Sequence, residues 1–294
     1  MNPPAVKCAV GTRPVRPPTM TGILALVLMV APGCSPDPSD PAPLAESDPA
    51  ALTQLIQDAR MVELTHPLSE ETLVWPTSRP FEFEVTFDGM TDEGFYYLSR
   101  DFSGPEHGGT HLDAPIHFYE GRWTTDQIPL DRLVGPGVMV DVSAQADSDP
   151  NYQVSVDDLL EWEEVHGRIP AGAIVLLNTG RSQFWGDARA YMGTEVRGEE
   201  GLARLQFPGL HPEGARWLAR ERDIVAVGLD TPSLDHGPST TFESHQILFE
   251  QNIYGLENVA NLDELPPVGS TILALPALME GGSGGPVRII GLVP

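Results

Sequence analysis

The stretch EHGGTHLDAPIHF, from Glu106 to Phe118, contains three histidines and two acidic residues within thirteen positions. The i, i+4 spacing of His107 and His111 would place both residues on one face of a helix. However, two adjacent glycines separate these histidines and a proline follows them, and both residue types oppose a helix. We therefore predict a loop that leads into a short extended segment.

Alternate side chains of an extended segment face the same side, so His111 and Asp113 are predicted to point in one direction together. The two glycines would allow the backbone to bring His107 back to them, which gives a ligand set suited to Zn²⁺ or Mn²⁺. Pro115 would turn the chain so that His117 approaches the same point from outside the ligand set. Exposed loops also carry His and Asp, so the residues alone leave a polar surface loop open as the alternative.

The composition limits the class of protein. The chain has 294 residues, of which 41% are hydrophobic, and a formal net charge of −25. This length allows one large domain or two small ones, and the apolar content allows a sizeable core. Only 17 Lys and Arg residues are spread over the chain, so nucleic acid is not expected as a partner.

Residues 1–34 have the features of an export signal. Basic residues precede an apolar stretch, Ile23 to Ala31, that is short for crossing a bilayer. Small residues and then Cys34 follow, which resembles a bacterial lipoprotein signal. We expect export to the periplasm or cell envelope, with Cys34 as the candidate lipidation site and any membrane contact made through that lipid. The alternatives are a true start at Met20 and a cytoplasmic enzyme with a misassigned start.

Residues 35–50 are rich in Pro, Ser and Asp and are predicted to be a flexible linker. Residues 51–294 are predicted to form one domain. Cys8 and Cys34 are the only cysteines of the chain, so a metal bound by this domain must have His, Asp or Glu ligands.

Strands and helices are predicted to alternate irregularly, which fits α/β or α+β architecture. A period-two pattern predicts one strand, and short continuous apolar runs predict strands that are buried on both faces. Capping signals and 3.6-residue periodicity predict the helices. The predicted strands are 81–87, 137–143, 172–180, 223–230, 271–278 and 287–293, and the predicted helices are 51–64, 155–167, 211–222 and 241–252.

The pattern H-G-G-T-H-x-D-x-P-x-H resembles the signature of the cyclase family of metal-dependent hydrolases, which includes bacterial kynurenine formamidase and isatin hydrolase. The resemblance extends from about His66 to the C-terminus, through HPLSEETLVWPTSRPF, GLDTPSLD, GLENVANLDELPPVG and EGGSGGPVRIIGLVP. It implies an α/β protein of the swivelling β/β/α type, with a central mixed β-sheet or barrel and surrounding helices. It also implies a homodimer or a higher homo-oligomer.

The resemblance implies roles for particular residues of the motif. The first two histidines and the aspartate of the family motif bind metal, and these are His107, His111 and Asp113 here. The aspartate bridges to a second ion, whose other ligands are a histidine and a glutamate twelve residues apart. His245 and Glu257 have that spacing. The implied cofactor is Zn or Mn, as one or two ions.

The last motif histidine, His117, is implied to be the general acid/base. Metal-activated water would then cleave a carbon–nitrogen bond of a small aromatic substrate, in an amide, a formamide or a cyclic lactam. Trp75 matches the pocket tryptophan of the family, and Phe118 and Trp123 are near the motif, so all three are candidates to stack on the substrate. Phe118 and Trp123 fit the hydrophobic core equally well.

Other functions remain open from the sequence. These are a non-catalytic metal- or solute-binding lipoprotein and a lyase or cyclase that acts on another carbonyl compound. The G-x-S-x-G pattern at 281–285 requires a helix after the serine in serine hydrolases, but a β-like run follows, so Ser283 is expected in a turn. Asp230, Asp235 and His236 could form a third metal site, although a loop at a strand end is favoured.

Overall fold

The computed structural model describes residues 49–294, which form twelve strands and seven α-helices. The strands are β1 (Arg60–Glu63), β2 (Glu82–Met90), β3 (Tyr96–Ser103), β4 (His111–Asp113), β5 (Val134–Asp141), β6 (Gln153–Val154), β7 (Ile174–Asn178), β8 (Gly209–Leu210), β9 (Ala226–Leu229), β10 (Tyr254–Glu257), β11 (Ser270–Pro276) and β12 (Gly284–Val293). The helices are α1 (Pro49–Asp58), α2 (Ser143–Ser148), α3 (Val156–His166), α4 (Ala188–Met192), α5 (Glu199–Leu202), α6 (Pro212–Glu221) and α7 (Glu243–Glu250).

The predicted export signal, with its candidate lipidation site Cys34, and the predicted linker up to residue 48 lie outside the described residues. Within residues 49–294, no helix combines the length and the apolar character that a bilayer crossing requires.

Seven strands form a closed ring. The order is β12-β11-β5-β7-β9-β10-β4, and β4 pairs again with β12 to complete it. Adjacent strands are parallel in the series β5-β7-β9-β10. Every pair in the ring that involves β4, β11 or β12 is antiparallel. β1 adds to the C-terminal half of β12. The structure therefore confirms an α/β fold with a central mixed, barrel-like sheet and surrounding helices.

The central strand β7 is buried on both faces, as its apolar run predicts. Ile174 and Leu176 belong to the core cluster that also contains Leu112, whereas Val175 and Leu177 pack with residues of the surrounding helices. β9 is also buried along its whole length. Burial on both faces was also predicted for β11 and β12, and this prediction is wrong. Both strands alternate between buried and less buried residues. These strands are antiparallel to both neighbours in the ring, and such strands commonly have one solvated face.

The predicted helix 51–64 is wrong in its second half, because α1 ends at Asp58 and residues Arg60–Glu63 form β1. The backbone of this segment pairs with β12, from Glu63 opposite Ile290 to Arg60 opposite Val293. Pairing with β12 therefore decides where the helix ends, because the sequence pattern of this segment is helical and contains no strong helix-terminating signal.

The other predicted elements are confirmed, with small shifts at their ends. Ser155 caps α3 through a capping box with Asp158, and the helix ends at Gly167, whose φ is +87°. The predicted strand 81–87 lies in β2, which pairs with β3 in a hairpin of mostly exposed residues.

We expect Leu112→Ala to lower the free energy of unfolding by about 2–5 kcal/mol, because the side chain is fully buried in the core beneath β4. Leu130→Ala is the matched control, since Leu130 is 78% exposed, and should change this free energy by about 0.5 kcal/mol or less. Urea denaturation measures both values. Equal effects of the two substitutions would show that β4 does not contribute to the core in this way.

Candidate metal centre

The motif segment becomes part of the ring at β4, between β10 and β12. Backbone pairing sets Glu257 of β10 opposite His111, and Gly284 of β12 opposite Asp113. The glutamate and the histidine are 146 positions apart in the sequence, but the strand register makes them neighbours. The extended conformation predicted for this segment is confirmed, with Leu112 in the core and its two neighbours facing a cavity.

His111 and Asp113 are both almost completely buried. His111 Nε2 lies 3.1 Å from Asp113 Oδ1 and 3.3 Å from Glu257 Oε2. The other ring nitrogen, Nδ1, lies 2.9 Å from the carbonyl oxygen of Gly109. A carbonyl oxygen only accepts hydrogen bonds, so Nδ1 carries a proton and donates it.

His107 returns to this point as predicted, because Gly109 adopts a φ of +63° that few other residues tolerate. His107 Nδ1 lies 2.6 Å from Asp113 Oδ1. Its ring is stacked on the ring of His117, with centroids 3.8 Å apart. His117 itself is on a 3₁₀ turn that begins at Pro115, which is the turn that the proline predicts.

α7 brings His245 to the same centre. His245 Nε2 lies 3.0 Å from Glu257 Oε1 and 3.4 Å from Asp113 Oδ2. On the other side of the ring, Nδ1 lies 2.6 Å from the carboxylate of Asp235. This carboxylate also accepts hydrogen bonds from the backbone N–H groups of Ser244 and His245, in the first turn of α7. Asp235 therefore fixes both the helix and the imidazole.

All five predicted metal ligands thus meet in one region, together with His117. Two trios have side-chain N or O atoms within 4.8 Å of one another: one consists of His107, Asp113 and His117, and the other of His111, Asp113 and Glu257. Asp113 is common to both. These trios differ from the predicted ligand sets, because His117, which was not predicted to bind metal, is grouped with Asp113.

The electrostatics of the centre favour positive charge. Burial raises the pKa of Asp113, but the surrounding histidines, His107 above all, hold it well below the usual range. Burial lowers the pKa of His111, yet the carboxylates of Asp113 and Glu257 raise it to about 10. Burial lowers the pKa of His117 to about 4, so this imidazole is neutral at pH 7.

The donor set fits a divalent cation. The raised pKa of His111 keeps a proton on Nε2, between the carboxylates of Asp113 and Glu257. If a cation replaces this proton, Nε2 offers it a lone pair, because Nδ1 already donates to Gly109. Nε2 is buried without a hydrogen-bond partner. A lone pair that faces two carboxylates in a buried site is unfavourable unless a proton or a cation lies between them. Imidazole and carboxylate donors of this kind suit Zn²⁺ and Mn²⁺.

A cavity of about 250 Å³ opens above these residues. The side chains of Trp75 and Phe118, both predicted to contact substrate, line it. Trp123 does not line it but packs against the core. None of the residues described along this cavity is Lys or Arg. The apolar part of its wall consists chiefly of Leu73, Val74, Trp75, Phe118, Met192 and Phe242.

Three residues in contact with the centre were not found by sequence reasoning: Glu106, Ser283 and Asp235. Ser283 Oγ lies 2.8 Å from His107 Nε2 and donates to Glu106 Oε2 at 2.7 Å. Burial raises the pKa of Glu106, but hydrogen bonds from Ser283 bring it below the usual value. Glu106 begins the motif stretch and Asp235 ends GLDTPSLD, so both had a local signal, whereas the contacts of Ser283 depend on the ring closure.

The two alternative motifs have structural roles here. Ser283 precedes β12 and no helix follows it, so the serine-hydrolase elbow is absent at this position. Ser283 lies at a bend between a turn at residues 280–281 and the strand. Asp230 accepts hydrogen bonds from Thr179 and Ser182, while Asp235 binds His245. Within residues 49–294, Asp230, Asp235 and His236 form no metal-binding cluster.

The sequence and the fold are those of a known class of proteins. A model of the cyclase family, described as "Putative cyclase", matches residues 62–236. Isatin hydrolase from Roseibium aggregatum is 33% identical over 197 residues, which cover 64% of this chain and 72% of that protein. Kynurenine formamidase from Salinibacter ruber is 28% identical over 230 residues, which cover 78% and 96%.

The solved structure of isatin hydrolase A from Ralstonia solanacearum has a TM-score of 0.73, with 36% sequence identity. The match covers 83% of this chain and 95% of that one. The chain belongs to the cyclase family, and it is an enzyme of the hydrolase class.

We expect Asp235→Ala to destabilise the protein more than Asp187→Ala. Both carboxylates accept hydrogen bonds from first-turn N–H groups, of α7 and α4 respectively, and loss of such a cap costs about 0.5–2 kcal/mol. Asp235→Ala also leaves buried His245 Nδ1 unpaired, which adds about 1–3 kcal/mol. Unfolding free energies from urea titration of the metal-free proteins test this difference, and equal losses would contradict it.

Proposed function

We propose that this protein is a metal-dependent hydrolase that cleaves a carbon–nitrogen bond in a small, neutral, aromatic amide, formamide or cyclic lactam. One observation carries the proposal: imidazole and carboxylate groups converge at the floor of an aromatic cavity, with His111 Nε2 directed at two carboxylates and without a hydrogen-bond partner.

The proposed ligands are His107, His111, Asp113, His245 and Glu257, with Asp113 shared between two positions. One or two ions of Zn or Mn are proposed, because the neighbouring trios both include Asp113. When bound, a divalent ion lowers the pKa of water towards 7 and polarises a carbonyl oxygen. The carboxylates supply the negative charge that offsets the ion in this buried site.

His117 is proposed as the general acid/base. Its neutral ring lies at the cavity wall, stacked on His107, and can take a proton from the attacking water. The same ring can then deliver that proton to the leaving nitrogen, so that the imidazole returns to its starting state. Such proton transfer contributes about 10²–10⁴ to the rate.

The cavity supports a flat, uncharged substrate. Trp75, Phe118 and Phe242 offer aromatic surfaces, with ring centroids 6.2 Å apart for Trp75 and Phe242 and 5.1 Å apart for Phe118 and Phe242. No cation among the described lining residues is available to bind a substrate carboxylate. Isatin is a neutral lactam, whereas N-formylkynurenine carries an amino-acid group, so we propose an isatin-like substrate.

The proposed location is the periplasm or cell envelope, with Cys34 as the lipidation site. The apolar stretch before this cysteine and the absence of cysteine from the body of the sequence support the proposal. We also propose a homo-oligomer. Exposed aromatic side chains on the β2–β3 hairpin, such as Phe87, Tyr97 and Phe102, are consistent with a surface that is covered by another copy.

Removal of metal should abolish hydrolysis of isatin, and Zn²⁺ or Mn²⁺ should restore it. Asp113→Ala should lose both metal and activity, because the carboxylate belongs to both trios. His117→Ala should retain metal and lower kcat by about 10²–10⁴. Metal analysis together with steady-state kinetics separates these outcomes, and exposed His166 provides a matched His→Ala control.

Wild-type turnover in His117→Ala would show that another residue transfers the proton. Metal binding without chelator-sensitive hydrolysis of any amide, lactam or formamide would instead favour a non-catalytic binding protein. Chelator-sensitive turnover of another carbonyl compound without hydrolysis would favour the lyase or cyclase alternative.

The value of kcat/KM should be higher for isatin than for N-formylkynurenine, because the cavity has no described cation to pair with the carboxylate of the latter. Trp75→Leu should lower kcat/KM for isatin about 3- to 10-fold, which corresponds to one lost aromatic contact. Phe184→Leu is the control, because this aromatic residue is outside the cavity lining. A preference for N-formylkynurenine would overturn the neutral-substrate part of the proposal.

A further inference from the structure

Three histidines have a ring nitrogen within 3.4 Å of the Asp113 carboxylate, and they do not present the same nitrogen to the centre. His111 and His245 direct Nε2 inward, and their Nδ1 atoms are bound by Gly109 and Asp235. His107 has the opposite arrangement: Nδ1 lies 2.6 Å from Asp113 Oδ1, and Nε2 points away towards Ser283 Oγ at 2.8 Å. A separate set of contacts must therefore determine which nitrogen of His107 carries the proton.

Glu106 and Ser283 supply those contacts. The hydroxyl group of Ser283 has a single proton, which it donates to Glu106 Oε2 at 2.7 Å. The serine oxygen can then only accept from His107, so Nε2 of His107 carries a proton. In the neutral ring, Nδ1 is left with its lone pair directed at the carboxylate of Asp113, where a cation would be bound.

Ser283 is itself held in place by the backbone. Its N–H donates to Glu106 Oε2 at 2.9 Å, and its carbonyl oxygen accepts from the N–H of Ala114 at 2.9 Å. The next residue, Gly284, lies against His107, because a Cβ atom at this position would be 2.5 Å from His107 Cε1. The ring of His107 is thus held between Gly284 and the stacked ring of His117.

We propose that Glu106 and Ser283 are positioning residues, which hold His107 with Nδ1 towards the centre and so set the cation affinity of the position between His107 and Asp113. Neither residue lines the cavity, so their effect on a substrate would be indirect. The inference rests on the proposed metal site.

The first test measures Zn²⁺ affinity and stoichiometry by calorimetric titration with a competing chelator. Ser283→Ala should weaken the binding event at the His107 position about 10- to 100-fold, as loss of a hydrogen-bond partner of a metal-bound histidine does, and leave any other binding event unchanged. Ser283→Thr retains the hydroxyl group and should restore the affinity. Ser148→Ala is the matched control, because its hydroxyl binds only Ala144 within α2.

The second test identifies the protonated nitrogen by ¹⁵N NMR of the histidine side chains in the Zn²⁺-loaded protein. The signal that disappears in His107→Gln should show a protonated Nε2 and a metal-bound Nδ1, and all other metal-bound histidines should show the reverse. In Glu106→Ala the serine proton becomes free to turn towards Nε2, so the His107 signal should change while the signals of His111 and His245 persist.

The outcomes separate the two proposals. Wild-type Zn²⁺ affinity in Ser283→Ala, or Nε2 coordination by His107, would overturn the positioning role and leave the proposed hydrolase intact. A weakened affinity that Ser283→Thr fails to restore would also overturn it, because the hydroxyl would then not be the cause. Failure of the wild-type protein to bind either Zn²⁺ or Mn²⁺ would overturn both proposals.

Discussion

The pairing of β4 with both β10 and β12 is the constraint on which the site depends. β4 has only three residues, yet it closes the ring and sets two of its side chains towards the cavity and one into the core. The register of its two ladders places Glu257 of β10 on one side of the motif and the start of β12, at Gly284, on the other. The geometry of the centre is thus fixed by backbone hydrogen bonds, which resist the repulsion between buried carboxylates.

The centre and the cavity above it have opposite physical characters, and the fold keeps them apart. The floor has buried carboxylates and imidazoles, and two of the imidazoles are held by a hydrogen bond on the side away from the centre: His245 by Asp235 and His111 by Gly109. The walls are mostly apolar. A polar group that enters such a cavity loses water, and its electrostatic interactions with the floor therefore strengthen. The same exclusion of water penalises any charged part of a ligand that finds no partner on the walls.

The sequence allowed prediction of the features that depend on local chemistry. The glycines and the proline of the motif predict the loop, the extended piece and the turn, and period-two alternation predicts that His111 and Asp113 share a side. The contribution of α7 and β10 was accessible only through family resemblance, because His245 and Glu257 are indistinguishable from ordinary helix and strand residues. The link from Ser283 to His107 spans 176 positions and has no local signal. The boundary between α1 and β1 was missed for the same reason, because pairing with β12 decides it.

The long sequence separations within the centre have a consequence for the order of events during synthesis. Thr110 binds Asn258 across 148 positions, and His107 binds Ser283 across 176. When the whole motif has left the ribosome, the flanking strands β10 and β12 have not yet been synthesised. The nascent chain then contains the motif histidines but no assembled centre. Contacts this distant form late, because the loops between them must close first. A complete metal centre therefore requires that synthesis has passed β12, and the motif by itself supplies only part of the ligand set.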